Sequence, residues 1–275
     1  MLHRPVALCL LLASPLAGQL SLVPDTVGIG QLPVGARRVV PLSLINTDLT
    51  PVLVEGIAPL HPSLSLPAPP VTGPARWLAG QDSLRFLLHV TPVEAGPLVA
   101  SLRGWGLADS VSVDVLAEAV DVFVSEVLAD PPSGLPGDAN GDGERETYAD
   151  EFVELRNAGP DTVDISGWRL GDDDTAISGW FEFPMTYLPP GARAVLFGGG
   201  TPTTIPPPAY ADDGRIGDGL ANGGDRVLLI TASGDTADIV DGIGWGNDRS
   251  VVRESAGEAP QPHDAPADVT ERFSP

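Results

Sequence analysis

The sequence predicts an all-β protein: two antiparallel β-sandwiches in tandem behind a signal peptide. Three observations carry this. The chain of 275 residues contains 32 glycines and 29 prolines, and both residue types oppose helix interiors. Its apolar residues come in short runs that alternate with polar ones, and turn residues recur every 8–12 positions, as strands of a sandwich require. Hydrophobic residues make up 43% of the chain, enough to fold rather than remain disordered.

In chain order, residues 1–18 read as an export signal. The opening MLHRP carries positive charge, the apolar run VALCLLLASPLAG follows, and small residues stand at Ala17 and Gly18. That order is the signature of a cleaved leader, and the run is too short for a bilayer, which takes about 20 residues. Cys9 is the only cysteine and falls inside this segment, so the mature chain is expected to have no thiol and no disulfide. With no later apolar stretch of membrane length, the expected location is secreted, extracellular or periplasmic, without membrane insertion.

Residues 19–119 supply runs at 36–46, 51–59, 82–92 and 109–119 in which Val, Leu and Ile alternate with polar residues. Residues 120–275 continue with strand-like runs at 121–132, 151–174, 179–197 and 225–246. The boundary between the halves is expected near residues 117–120, because charge changes there. Residues 1–119 hold 8 acidic and 6 basic side chains, whereas 120–275 hold 29 and 9. A segment of net charge -20 is repelled by phosphate, whose binding comes largely from Lys and Arg. No nucleic-acid partner is expected.

Two resemblances refine this picture. Leu32-Pro33-Val34-Gly35, Ile45-Asn46-Thr47-Asp48 and the stretch 86–102 resemble the Ig-like modules of the abnormal-spindle/Hydin type, with Asp48 where that family carries Gly. Phe123–Val127, Glu151–Leu155, Asp164–Trp168, Asn222–Asp225, the stretch 251–264 and the final RFSP resemble the lamin-tail domain in its secreted bacterial form. Together they imply two Ig-like sandwiches and supply no catalytic residues. Residues 200–210, GTPTTIPPPAY, depart from the compact pattern and are expected to form a polyproline surface loop.

The sharpest chemical signal is GDANGDGERETYADEFVEL. Asp138, Asn140 and Asp142 alternate and Gly143 follows, so three side-chain oxygens can converge in a tight loop as in the first half of a calcium loop. An EF-hand then needs Glu at its twelfth position, where Ala149 stands, and EFVELRN reads as a strand. The expected site is therefore a different calcium loop, closed by Asp150 or Glu151 and by the backbone carbonyl of Glu144. Oxygen-only ligands favour a hard cation, and many anionic oxygens in a flexible loop suit Ca²⁺ better than octahedral Mg²⁺. A solvated acidic turn is the alternative.

Other constellations are weaker. Asp172–Asp174 and Asp212–Asp213 read as solvated turns, and Glu126 with Glu151 or Glu154 reads as structural hydrogen bonding rather than an acid pair for hydrolysis. His61, His89 and His263 occur in no metal spacing, no GxSxG elbow is present, and Trp168 and Trp245 are expected in the core. The sequence thus reads as a secreted non-catalytic structural or interaction protein, not an enzyme. Its partner is an unidentified extracellular protein or polysaccharide, with a mineral or cation matrix also open. The alternative is a secreted metal-dependent hydrolase, a nuclease or phosphatase, or its accessory subunit.

Overall fold

Alternation along the chain becomes alternation between core and solvent. In the computed structural model, which describes residues 20–71, 75–107, 109–172, 179–203, 208–242 and 248–263, the first half forms nine strands. They are β1 (Leu20–Val23), β2 (Thr26–Pro33), β3 (Arg38–Asn46), β4 (Val52–Pro59), β5 (Leu64–Ser65), β6 (Arg76–Leu78), β7 (Ser83–Val90), β8 (Gly96–Gly106) and β9 (Ser110–Val120). Strand β7 shows the rule: Leu84, Phe86, Leu88 and Val90 are buried, while the residues between them are exposed or half-buried. A four-stranded sheet in the order β1-β3-β7-β5 and a five-stranded sheet in the order β2-β9-β8-β4-β6 result.

The second half forms β10 (Val122–Leu128), β11 (Phe152–Asn157), β12 (Val163–Asp164), β13 (Arg169–Asp172), β14 (Phe181–Glu182), β15 (Tyr187–Leu188), β16 (Arg193–Phe197), β17 (Ala209–Ala211), β18 (Arg226–Ile230), β19 (Thr236–Asp241), β20 (Val251–Val252) and β21 (Gln261–Pro262). Six strands pair as β17-β16-β11-β10-β20-β21, four as β14-β13-β18-β19, and β12 pairs with β15. Val122, Val124, Leu155, Trp168, Leu170, Phe183, Leu196 and Leu229 fill the core of this half. Trp168 is 1% exposed, at the place expected of it; Trp245 lies outside the described residues, as do the export segment and the terminal RFSP. Among the described residues the only helical element is the 3₁₀ turn Leu135–Gly137, and no helix is long and apolar enough to cross a membrane.

The chain clusters into two compact units. One is drawn from residues within Met1–Gly28, Val39–Val90 and Val99–Val115, the other from residues within Ile29–Arg38, Thr91–Leu98 and Leu116–Pro275. One expectation needs correction. The 200–210 segment is not wholly a surface loop, because Ala209–Ala211 pairs in parallel with β16, Val195 opposite Ala209. Proline bars a residue from donating to a ladder but does not bar the Ala-Tyr-Ala that follows it.

Each unit closes one corner with a buried asparagine, used in the same way. Asn46 ends β3; its Nδ2 donates to the carbonyls of Thr50 (2.8 Å), Leu78 (3.2 Å) and Ala79 (3.0 Å), while its Oδ1 accepts the Asp48 N–H at 3.0 Å. Asn157 ends β11; its Nδ2 donates to the carbonyls of Asp161 and Leu188, both at 2.8 Å, and its Oδ1 accepts the Gly159 N–H at 2.9 Å. Both side chains are 0% exposed. The amide carries two N–H donors and a separate carbonyl acceptor on one short side chain, so it satisfies the turn after a strand and a distant carbonyl together.

Strand β10 is buried along its whole length, and its ladder with β11 is broken by a bulge between Val124 and Glu126. A bulge leaves backbone groups outside the ladder, and buried side chains take them up. The Val124 N–H donates to Asp238 Oδ2 at 2.9 Å, and the Val124 carbonyl accepts Arg253 Nε at 3.0 Å and Nη2 at 2.7 Å. Arg253 and Asp238 also pair with each other, their side chains 3% and 5% exposed. Asp238 stands on β19 of the facing sheet, so the ion pair joins the two sheets through β10.

Two stability predictions follow from these buried polar groups. Replacing Asn46 or Asn157 by Ala strands several buried carbonyls and N–H groups, and each change is expected to cost about 1–3 kcal/mol or more in urea denaturation. Arg253→Met leaves Asp238 charged and alone in the interior, so a loss of roughly 3–5 kcal/mol is expected by the same measurement. A loss below 1 kcal/mol would show that the bulge is held by something else.

Candidate functional site

The connection from β10 to β11 is long but tied down at many points. Arg145 donates Nε to the Pro132 carbonyl at 3.0 Å and Nη2 to the Pro131 carbonyl at 2.5 Å. Gly137 packs on Pro132 so closely that a Cβ there would lie 1.8 Å from the Pro132 oxygen. On its inner side the loop contributes Ala139 to a small apolar cluster with Leu128, Phe152, Val195 and Phe197, in which Phe152 and Phe197 meet edge to face at 5.7 Å. The loop thus covers the face of the six-stranded sheet turned away from the main core.

The Asp138–Asp142 alternation produces a nest of side-chain to backbone bonds. Asp138 Oδ1 accepts the Asp142 N–H at 3.1 Å, and Oδ2 accepts the Gly143 N–H at 2.9 Å. Asn140 Oδ1 accepts the same Asp142 N–H at 3.0 Å, while its Nδ2 donates to the Gly199 carbonyl at 3.2 Å. Asp142 accepts the N–H of Glu144 at 3.0 Å and of Thr201 at 3.3 Å. Gly141 and Gly143 have φ of 70° and 97°, the left-handed values that favour glycine.

Asp150 closes this loop from below. Its buried carboxylate accepts the N–H groups of Ala139 (2.9 Å), Asn140 (3.2 Å) and Glu146 (2.7 Å). Burial, with a smaller contribution from Asp138, raises its pKa, and the three N–H groups oppose the rise.

Of the six residues expected at the cation site, Asp138, Asn140, Asp142 and Asp150 therefore share one hydrogen-bonded loop. Glu144 joins it through its backbone, and its side chain is exposed. Glu151 turns elsewhere: its Oε2 accepts the Leu220 N–H at 3.0 Å, and its Oε1 is buried without a hydrogen-bond partner. Among the described residues no group of three or more His, Asp or Glu side chains is gathered as a ready-made metal cage.

Burial is also the main cause that pushes Glu151 up to about 8, with Asp225 and Asp130 adding to the rise and the Leu220 N–H and Arg215 opposing it. Asp172 is pushed to about 6 by burial first, then by Asp218 and Asp225, against the Asp218 N–H. Its neighbours Asp173 and Asp174 lie outside the described residues.

Glu126 and Glu154 stand opposite each other across the β10–β11 ladder. Glu154 Oε1 accepts the Ser125 hydroxyl at 2.5 Å and Arg193 Nη1 at 2.6 Å, and Glu126 Oε1 lies 3.2 Å from His263 Nδ1. Glu126 borders a polar cavity of about 390 Å³ lined also by Ser125, Arg156, Arg193, Glu254 and His263. These are the hydrogen bonds of a structural network. His61, by contrast, serves a turn, accepting the Ser63 N–H at 3.1 Å. Sequence reading passed over Asp238 and Arg253, since each stands alone in a strand-like run and only the bulge gives them a task.

The family model described as the Lamin Tail Domain matches residues 116–247, and this part of the chain is similar to that family. No curated protein sequence matches the chain. Among solved structures it is similar to the ASH / PapD-like domain of human CEP192, at 10% identity and a TM-score of 0.32 over 42% of this chain and 96% of that one. It is also similar to the E. coli chaperone DraB, at 16% identity and a TM-score of 0.27 over 81% of this chain and 96% of that one. The secreted serine protease VesC from Vibrio cholerae is similar at 12% identity and a TM-score of 0.29, over 63% of this chain and 43% of the protease. The chain thus spans less than half of the protease's length. An all-β chain matched by the lamin tail domain model over residues 116–247 has the character of a structural or interaction module.

The pH dependence follows from Glu151. Its native pKa near 8 exceeds its ordinary 4.5, so the folded state holds the proton more tightly than the unfolded one. That stability is complete below about pH 4.5 and is lost as pH rises through about 8. Glu151→Gln, which cannot ionise, is expected to lose less stability over this window than the parent protein. Urea denaturation in chelator at a series of pH values measures the difference, and equal slopes would show that the carboxyl titrates normally.

Proposed function

We propose that this protein is an exported, non-catalytic structural or interaction protein whose lamin tail domain holds a Ca²⁺ ion in the 138–150 loop. The observation that supports the cation most directly is the way Asp138, Asn140 and Asp142 are held. Each side-chain oxygen accepts a downstream backbone N–H, which orders the loop yet uses only part of each oxygen's lone-pair capacity. The remaining lone pairs of Asp138, Asn140 and Asp142, the Glu144 carbonyl and Asp150 form an oxygen-only donor set suited to a hard cation. A divalent ion also offsets the repulsion of carboxylates brought together, about 1–4 kcal/mol per close pair depending on the effective dielectric.

Export rests on residues 1–18, and the partner is an extracellular protein or polysaccharide met by the strongly acidic second half. Extracellular Ca²⁺ modules have dissociation constants on the order of 10⁻⁴–10⁻³ M. At ten times such a value the ion adds roughly 1.4 kcal/mol of stability. It therefore staples a loop that Arg145, Asp150 and Ala139 already anchor, rather than folding the domain.

Calorimetric titration of the full mature protein with Ca²⁺, beside Asp142→Ala and with melting curves in Ca²⁺ and in chelator, tests this. The parent protein is expected to melt several degrees higher in Ca²⁺, with the gain reduced in the variant. No heat and identical melting temperatures would return the loop to a solvated acidic turn.

A further inference from the structure

Two tryptophans stand on the outward face of the five-stranded sheet in the first unit. Along β8, Leu98, Ala100, Leu102 and Gly104 turn inward, so Val99, Arg103 and Trp105 turn outward. On the edge strand β6, Trp77 is 65% exposed, while Leu78 beside it is buried. A tryptophan that only filled the core would face the other way.

Trp105 is laid flat on the sheet. It stands opposite Gly56 across the β4–β8 ladder, just past a bulge between Val54 and Gly56. A Cβ at Gly56 would lie 2.4, 2.7 and 2.9 Å from the ring atoms Cζ2, Cη2 and Cε2 of Trp105. These distances are nearly equal, so that point lies over the ring's face and not beyond its edge. The indole rests one face on the bare backbone of Gly56, a place that only glycine leaves open. Among the described residues no other ring and no guanidinium stacks on its opposite face.

Trp105 borders a cavity of about 700 Å³, a size that suits a small-molecule site. Ala58 and Leu60 give it apolar walls, and Arg103, Asp109 and Ser110 give it polar ones. The Leu20 N–H donates to Asp109 Oδ2 at 2.9 Å, which fixes the carboxylate and leaves Oδ1 to accept from a ligand.

This combination selects its ligand. A bare indole face calls for a flat set of C–H groups. Around it a guanidinium donates, a carboxylate accepts and a hydroxyl does both, which calls for hydroxyl groups. A pyranose ring offers both on one small body. The charges of Arg103 and Asp109 balance, and the chain's net charge of -22 repels anionic polymers. An apolar protein surface laid here would desolvate both charges without pairing them, which is costly.

We propose that this face binds a neutral polysaccharide, with one pyranose ring stacked on Trp105 and its hydroxyls on Arg103, Asp109 and Ser110. The polymer continues toward Trp77, which stands opposite Leu53 on the other side of β4, about 10 Å away across two strand spacings. This rests on the reading of the protein as an exported interaction protein and names the chemistry of its partner.

Affinity electrophoresis of the full mature protein tests this, in native gels cast with hydroxyethyl cellulose, dextran, galactomannan or polygalacturonate. At least one of the neutral polymers is expected to retard the protein, and polygalacturonate to retard it less. Trp105→Ala should weaken that binding about tenfold or more, and so should Gly56→Ala, which lifts the indole while every binding group remains. Arg103→Ala and Trp77→Ala change exposed side chains, should each weaken binding severalfold, and decide the question if the other two fail to fold by circular dichroism. Binding that none of these changes touches would overturn the site, and stronger retardation by polygalacturonate would overturn the neutral ligand. No retardation by any polymer would overturn the proposal, and self-association lost in Trp105→Ala would then make this face a protein contact. Reducing ends released from the bound polymer would overturn the non-catalytic reading and leave this site standing. A failed Ca²⁺ titration would also leave it standing, because the 138–150 loop belongs to the other unit.

Discussion

The second half of the chain depends on how one strand, β10, is received by the rest of the fold. Its seven residues are all buried, so the backbone groups that its bulge takes out of the ladder have no access to water. Asp238 from the facing sheet accepts the Val124 N–H, Arg253 from the end of β20 donates twice to the Val124 carbonyl, and the two side chains neutralise each other. Neither charge is tolerable there alone. The arrangement sets the spacing of the two sheets at β10. It also carries Ser125 and Glu126 to the face where Glu154, Arg193 and His263 meet them.

The acidity of the second half is used in two ways. Some carboxylates are exposed or form surface pairs, such as Asp241 with Arg226, which contribute little. Others replace regular secondary structure as acceptors for loop backbone. Asp138, Asp142, Asp150, Glu151, Asp172 and Asp225 each accept at least one backbone N–H in a connection between strands. Connections of this length would otherwise leave many N–H groups without partners. The result is a set of ordered loops that concentrate anionic oxygen at particular places.

The two units solve the same corner problem with the same residue. Asn46 and Asn157 each end a strand, accept the N–H two residues on and donate to the carbonyl four residues on, then reach a carbonyl 32 or 31 residues away. The shared geometry reflects a shared demand. A strand that turns sharply at the end of a sandwich exposes inward-facing polar groups, and an amide satisfies both signs of them within one small volume.

The fold class was legible from alternation and punctuation alone. The runs expected at 36–46, 51–59, 82–92 and 109–119 became β3, β4, β7 and β9, because period-2 burial is a local property of the chain. The DxNxDG spacing announced a tight loop with converging side-chain oxygens, and the structure adds that those oxygens accept the N–H groups of the backbone that follows. What local pattern does not contain is direction toward distant partners. Asp150 and Glu151 are neighbours in sequence and equivalent in chemistry. One closes the loop beneath Asn140, and the other reaches Leu220 on a connection 69 residues away. Asp238 and Arg253 look like ordinary surface charges until β10 bulges between them. Burial, and with it the choice of which charges face one another, is set by packing among segments far apart in the chain. Tertiary structure alone therefore decided how the acids are shared among sites that the sequence showed only as a plentiful supply of carboxylate.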